Sequence, residues 1–163
     1  MSFDDLLANN RTYAESFPHA GFDGIARKGV LMLTCMDSRI DPLDVIGLGH
    51  GDAKILRSPG GLLSNSMLKG CILGVHVLGV ERIMVMPHTK CAMASGTDAD
   101  IRDVIAERSG LDTTWVSFGA TPDQITRLNA DVATLRNHPL LKDRAEVGGF
   151  MYDVDTGLLE QLL

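Results

Sequence analysis

Three residues of the types that bind zinc stand in two short motifs, about fifty positions apart. Cys35 lies in the segment L-T-C-M-D-S-R, and His88 and Cys91 lie in the segment M-P-H-T-K-C. Two thiolates and one imidazole are ligands that zinc prefers, and three protein ligands leave a fourth position for water or a substrate. Because a structural zinc site is closed by four protein ligands, this set predicts a catalytic zinc site.

Two charged residues follow Cys35 at alternate positions and complete the group of candidate site residues. Asp37 lies two positions after Cys35, and Arg39 lies two positions after Asp37. In extended backbone, residues two apart face the same side, which places Asp37 beside any metal held by Cys35. Arg39 would pair with Asp37 and keep its carboxylate ionised and oriented. The alternatives are a turn cap for Asp37 and an ordinary surface ion pair for Arg39.

Each zinc-type motif directly follows a short apolar run, which predicts a buried strand. Strand-like and helix-like periodicities alternate along the chain, so the sequence predicts an α/β fold with a mostly parallel central sheet flanked by helices. In open α/β sheets, ligands bind beyond the carboxyl ends of the strands, and the two motifs would meet there if the first and third strands are neighbours. The four predicted parallel strands and the C-terminal edge strand cover residues 30–34, 53–57, 83–86, 114–118 and 147–154.

Helix start signals separate the predicted strands. Thr121 followed by proline, with Gln124 at the third helical position, is a strong helix start. Ser64 or Asn65 caps the most apolar helix, on which Cys71 faces inward as a core residue. The predicted helices cover an N-terminal arm over about 1–17, a short helix that begins at 41, and longer helices over 65–78, 98–108 and 122–137.

Bulk composition restricts the classes of partner. The length of 163 residues suggests one domain over 1–163, and the net charge of −6 argues against nucleic acid, because phosphate binding needs a basic face. No apolar stretch is long enough to span a bilayer, so we expect no membrane segment. Acidic residues stand at the N-terminus where a signal peptide carries positive ones, which favours a cytoplasmic protein. Three cysteines are an odd count, and we expect no complete disulfide framework.

The chain resembles the β-class carbonic anhydrases at these motifs. That family has the pattern C-x-D-x-R after its first strand and H-x-x-C after its third. The matching segments here are Cys35-Met36-Asp37-Ser38-Arg39 and His88-Thr89-Lys90-Cys91. Either pattern alone is a weak signal, but the two together, each after a predicted strand, are a strong one. The resemblance spans roughly residues 30–91 and 147–159.

The resemblance implies a ligand set, a reaction and an assembly. Cys35, His88 and Cys91 would bind one Zn²⁺ per chain, with water as the fourth ligand in an open state and Asp37 in a closed state. The implied reaction is the reversible hydration of carbon dioxide to bicarbonate and a proton, by zinc-bound hydroxide that an Asp37–Arg39 dyad orients. The family also implies a homodimer or higher homo-oligomer, in which the N-terminal arm packs on a partner.

The loop after the second predicted strand departs from the family pattern. Where the family reads R-N-A-G, this chain has Arg57-Ser58-Pro59-Gly60, which leaves the choice of substrate open. A hydrolase of carbon disulfide or carbonyl sulfide would use nearly the same site, and a non-enzymatic zinc- or bicarbonate-binding protein would use the same fold. A thiol redox protein is disfavoured because the chain has no C-x-x-C pair. His50 is either a proton shuttle or a solvated loop histidine.

Overall fold

Five strands form one mixed β-sheet in the computed structural model, which describes residues 2–163. The strands are β1 (Val30–Cys35), β2 (Ala53–Ser58), β3 (Arg82–Met86), β4 (Glu146–Tyr152) and β5 (Leu159–Gln161). They lie in the order β2-β1-β3-β4-β5, with the first four parallel and β5 antiparallel to β4. The predicted α/β class, with four parallel strands and a C-terminal edge strand, is therefore confirmed.

Strand β1 lies between β2 and β3, so the carboxyl ends of the first and third strands are adjacent as predicted. All six of its residues are buried, as expected for a central strand of a parallel sheet covered on both faces. Thr34 stands opposite Met86 in the register of β1 and β3, and its hydroxyl donates to the Met86 carbonyl at 2.8 Å. This bond fixes the level at which the two strands end, immediately before the candidate ligands.

Residues 2–163 form five α-helices, and the third and fifth of them cover one face of the sheet. Cys71 of the third helix and Leu128 of the fifth share a buried cluster with Leu31 and Val85 of the sheet. None of the helices described over residues 2–163 is long and apolar enough to cross a membrane. The helices are α1 (Asp4–Glu15), α2 (Pro42–Val45), α3 (Asn65–Val77), α4 (Asp98–Ser109) and α5 (Gln124–Asn137).

The predicted strand over 114–118 is wrong. This segment is an irregular loop whose backbone groups are bonded to α4 rather than to a neighbouring strand. Asp98 accepts hydrogen bonds from the Phe118 and Ala120 amides at 3.0 and 2.6 Å, and Arg102 donates to the Val116 carbonyl at 3.1 Å. The fourth parallel strand is instead β4, which was predicted as the edge strand, and the true edge strand is β5.

Two details of the predicted helices also differ. Thr121 does not cap α5, because Asp123 is the capping residue and its carboxylate accepts from the Thr126 amide at 2.9 Å. Thr121 donates its amide to the Met93 carbonyl instead, at 2.9 Å. Ser64 caps α3 as predicted, accepting from the Met67 amide at 3.3 Å.

The N-terminal arm forms the helix α1 and buries none of its residues. Its apolar side chains face outward, and Phe3, Leu6 and Leu7 are each more than half exposed. An amphipathic helix is stabilised mainly by packing of its apolar face. Helix α1 therefore presents an apolar surface that the rest of its own chain does not cover.

Candidate metal centre

The three zinc-type residues meet at one point beyond the carboxyl ends of β1 and β3. Cys35 is the last residue of β1, and His88 and Cys91 lie in the loop that follows β3. Their ligand atoms all lie within 4.8 Å of one another, and all three residues are buried. The chain thus brings the sulfur of Cys35 to the imidazole of His88 and the sulfur of Cys91, which lie more than fifty positions later in the sequence.

His88 presents one ring nitrogen to a carbonyl and the other to the two sulfurs. Nδ1 lies 2.8 Å from the Thr89 carbonyl oxygen, which accepts only, so the proton is assigned to Nδ1. Nε2 is completely buried and has no hydrogen-bond partner in the described part of the chain. A metal-bound histidine almost always donates its other N–H in this way. The orphaned Nε2 lone pair therefore fits a metal ligand.

The two thiols lie side by side, and each shifts the pKa of the other. Cys35 Sγ and Cys91 Sγ lie 4.0 Å apart. Hydrogen bonding from Cys91 lowers the pKa of Cys35 to about 4, and the same bond, with burial, raises the pKa of Cys91. A thiolate, a second thiol beside it and a neutral imidazole together form a donor set suited to Zn²⁺. The residues present therefore fit a zinc ion.

Asp37 and Arg39 form a two-pronged ion pair beside the ligands. Arg39 donates from Nε to Oδ1 at 2.9 Å and from Nη2 to Oδ2 at 2.7 Å, and its own amide donates to Oδ1 at 2.9 Å. These bonds hold the pKa of the Asp37 carboxyl well below its usual range. Asp37 Oδ2 is nevertheless only 3.8 Å from His88 Nε2. The carboxylate is ionised, turned toward Arg39, and within reach of the ligand set.

Two residues without an assigned role in the sequence analysis hold the backbone of the ligand loops. Arg57 donates to carbonyl oxygens of the loop after β1. Gln124, the first residue of α5, donates to the His88 carbonyl at 3.1 Å. The signal for Arg57 was its position at the carboxyl end of a strand next to β1, whereas Gln124 has no signal beyond a helix start.

A solvent-open cleft leads to the ligands. Cys35, Asp37, Arg39 and Cys91 form one part of its lining. The other part is mostly apolar and consists of Met36, Pro59, Gly60, Ala92 and Met93. Pro59 belongs to the loop that departs from the family pattern, so that departure contributes directly to the wall of the cleft.

Two other residues named from the sequence lie away from the ligands. The His50 ring stacks on the His19 ring at a centroid distance of 4.2 Å and does not line the cleft described for residues 2–163. This position does not support a proton-shuttle role. Cys71 is fully buried in the core, as predicted, and burial raises the pKa of its thiol to about 12.

Three comparisons connect this geometry with known proteins. A sequence model of the carbonic anhydrase family matches residues 30–159. The chain is 29% identical to beta-carbonic anhydrase 1 of Mycobacterium tuberculosis over 163 residues, covering 98% of this chain and 96% of that protein. It is 27% identical to a carbon disulfide hydrolase of Saccharolobus solfataricus, covering 80% and 75% respectively. A carbonic anhydrase structure from Streptococcus mutans has a TM-score of 0.90 and 29% identity, covering 100% of this chain and 99% of that one.

Proposed function

This chain belongs to the carbonic anhydrase family, in its β class, and on that premise we propose that it catalyses the zinc-dependent, reversible hydration of carbon dioxide. The products are bicarbonate and a proton. The observation that carries the proposal is the buried set of Cys35, His88 and Cys91, with its orphaned imidazole nitrogen. Three protein ligands at the inner end of an open cleft leave a position for water.

Cys35, His88 and Cys91 would hold the zinc ion. When bound at such a site, zinc lowers the pKa of water from about 15.7 to about 7 and so makes hydroxide available near neutral pH. Two thiolates and a neutral imidazole offset the charge of the dication, and the Thr89 carbonyl keeps the imidazole in the tautomer that ligation needs.

Asp37 and Arg39 supply orientation. The low pKa of Asp37 keeps its carboxylate ionised across the physiological range, so the carboxylate would be able to accept a hydrogen bond from water at the open position. Arg39 holds both carboxylate oxygens and thereby keeps Asp37 turned away from the ligand atoms. This arrangement supports the open state, in which the fourth position would remain available.

The apolar wall of the cleft suits a neutral substrate. Met36, Pro59 and Met93 line the cleft together with the charged Asp37 and Arg39. Carbon dioxide carries no charge and needs no charged partner during entry. The apolar part of the lining would therefore admit a neutral substrate.

The proposal is tested by stopped-flow hydration of carbon dioxide on protein of known metal content. We expect one zinc per chain and rapid hydration in the wild type, and loss of both in Cys35→Ala. The matched control is Cys71→Ala, which removes a buried thiol that lies outside the ligand set. This control should keep its zinc and its activity. Bound zinc without hydration at neutral and alkaline pH would contradict the proposal and favour a zinc- or bicarbonate-binding protein.

A second candidate function is hydrolysis of carbon disulfide or carbonyl sulfide. The resemblance to the carbon disulfide hydrolase of Saccharolobus solfataricus, at 27% identity, supports this second function. These substrates are also small, linear and uncharged, so the cleft geometry does not separate them from carbon dioxide. Hydrogen sulfide release from carbon disulfide, measured on the same samples, would identify this activity.

We also propose that the protein assembles as a homodimer or larger homo-oligomer. The support is helix α1, which buries none of its residues and exposes Phe3, Leu6 and Leu7. Exposed apolar surface of this kind commonly marks an interface. A cytoplasmic location also stays a prediction from the sequence.

A further inference from the structure

Arg57 binds the main chain of the loop that carries both a ligand and the ion pair. It lies on β2, opposite Thr34 of β1 in the parallel register. Its Nε donates to the Cys35 carbonyl at 2.9 Å, and its Nη2 donates to the carbonyls of Asp37 and Ile40 at 2.6 and 3.2 Å. One guanidinium therefore contacts the first residue of this loop, its middle and its end.

These three bonds fix the direction in which the loop side chains point. The carbonyls of Cys35 and Asp37 flank Met36, so holding both determines the turn of the backbone between the ligand and the carboxylate. A guanidinium is a rigid planar fork, and hydrogen bonds from a charged donor are stronger than those between neutral groups. Asp37 is thus held through its carbonyl by Arg57 and through its carboxylate by Arg39.

We propose that Arg57 is a positioning residue for the reaction: its guanidinium clamps the Cys35–Ile40 loop and thereby sets the Cys35 thiolate and the Asp37 carboxylate relative to His88 and Cys91. This inference rests on the proposed function for its catalytic consequence. Among residues 2–163, those that line the cleft do not include Arg57, so it acts through the loop and not by touching the substrate. Its geometric consequence, a fixed ligand arrangement, is independent of the substrate.

Arg82 provides a control, because it is an arginine that joins two segments of the chain by a hydrogen bond but lies away from the site. It is also an exposed arginine on a parallel strand of the sheet, and its Nη2 donates to the Lys28 carbonyl at 2.9 Å. Arg82 stands at the amino end of β3, away from the ligands, which follow the carboxyl end. Arg82→Met removes a comparable clamp without contact with the site.

The experiment compares Arg57→Met, Arg57→Lys and Arg82→Met with the wild type. Three measurements are made: kcat/KM for carbon dioxide hydration, the visible absorption of the Co(II)-substituted protein, and thermal unfolding. We expect Arg57→Met to lose activity on the order of 10²-fold, as small displacements of reacting groups do, and to change the Co(II) bands. Arg57→Lys keeps the charge but not the fork, so it recovers only part of the loss. Arg82→Met keeps the activity and the Co(II) spectrum.

Several outcomes overturn the inference. One is wild-type activity and an unchanged Co(II) spectrum in folded Arg57→Met. Another is full recovery in Arg57→Lys, which would assign the effect to charge alone. Equal losses of activity in Arg57→Met and Arg82→Met would assign it to general stability. If zinc-loaded wild type hydrates no carbon dioxide, the proposed function fails, yet the Co(II) spectra of the variants still decide whether Arg57 positions the ligands.

Discussion

His88 is buried with one ring nitrogen satisfied and the other left without a partner. A buried polar atom without a hydrogen bond is destabilising, by about 1–3 kcal/mol in mutational data. The folded protein tolerates this cost where a bound ion satisfies the atom. A metal bound here would therefore contribute to stability as well as to chemistry, because the unfolded chain lacks the assembled ligands.

Metal removal tests this contribution. A ligand that binds only the folded state stabilises it by about 4 kcal/mol when its free concentration is about a thousand times Kd. We expect a chelator to lower the Tm of the wild type markedly and added zinc to restore it. His88→Ala should show neither response, whereas Cys71→Ala should respond like the wild type. A Tm of the wild type that is insensitive to chelation and to zinc would contradict a metal at this site.

Gly61 allows the loop after β2 to pass close to the end of β1. It adopts φ +69°, and a Cβ there would lie 3.3 Å from both the Cys35 nitrogen and the Thr34 carbonyl carbon. Those atoms belong to the central strand, so they cannot move aside cheaply. We expect Gly61→Ala to lower the free energy of unfolding by about 1–3 kcal/mol, measured by urea denaturation.

Gly157→Ala separates two causes of the expected loss of stability in Gly61→Ala, which are the positive φ angle and the crowding of a Cβ against β1. Gly157 has a similar φ of +74°, but a Cβ there would meet nothing within 4 Å. Its substitution therefore reports the backbone conformation alone, which costs roughly 1–2 kcal/mol for a residue with a side chain. If Gly157→Ala destabilises as much as Gly61→Ala, crowding against β1 is not the reason for glycine at 61.

Among the elements, α4 is joined to the loop that follows it by several hydrogen bonds, three of them to the carboxylate of Asp98. Asp98 Oδ1 accepts from the Ala120 amide at 2.6 Å, and Oδ2 accepts from the Phe118 amide and the Ser117 hydroxyl, each at 3.0 Å. These bonds lower the pKa of Asp98, and the bond from the Ala120 amide has the largest effect. A carboxyl with a lowered folded-state pKa stabilises the protein above its unfolded pKa, and this contribution is lost as the pH falls through the folded pKa.

Asp98→Asn should therefore lower the Tm by a few degrees at pH 7. The difference from the wild type should shrink as the pH falls below about 4, because Asp98 of the unfolded wild type then takes up a proton that the folded protein binds only at lower pH. The measurement is thermal unfolding of both proteins from pH 7 to pH 3. Asp103→Asn, on the exposed side of the same helix, is the control and should match the wild type throughout. A pH-independent difference between Asp98→Asn and the wild type would contradict the charge argument.

The elements also show which parts of the structure the sequence could predict. Strands β1, β2 and β3 were placed correctly: β1 and β3 are mostly apolar runs, and β2, which also carries Lys54 and Arg57, lies between the turn residues Gly51 and Pro59. The segment 114–118 also has the composition of a strand. The amides of Phe118 and of Ala120 just beyond it bond to Asp98 on α4, however, and such a tertiary contact leaves no local signal in the sequence. Strand β5 has only three residues, which is too few for a period to be recognised.

The site followed a similar division. Cys35, His88 and Cys91 were predictable because their chemistry and their places after strands coincide. The supporting hydrogen bonds of Arg57 and Gln124 were not predictable. Each runs from a side chain to the main-chain carbonyl of a residue far away in the sequence. A carbonyl acceptor is present at every residue, so the sequence does not indicate which one an arginine or glutamine will find.

For the whole molecule, the arm raises the question of assembly. Helix α1 carries Leu6 and Leu7, which are 58% and 53% exposed in the isolated chain. We expect the wild type to sediment as a dimer or larger species, and Leu6→Glu/Leu7→Glu to shift it toward the monomer while circular dichroism stays that of a folded protein. Leu158→Glu, at an apolar residue that is 67% exposed outside the arm, is the control and should leave the assembly unchanged. A wild type that sediments as a monomer would contradict the proposed oligomer.

The strand order has a consequence for the time course of folding. Cys35 and His88 meet only after β1 has paired with β3, and the chain between them forms β2 and α3 on the way. Contacts between residues so distant in sequence form slowly, because the chain entropy of closing the intervening loop opposes them. We therefore expect a metal that needs both ligands to bind late, after the rate-limiting transition state. We expect zinc to slow unfolding strongly and to leave the refolding rate almost unchanged, so that it acts on the lifetime of the native protein.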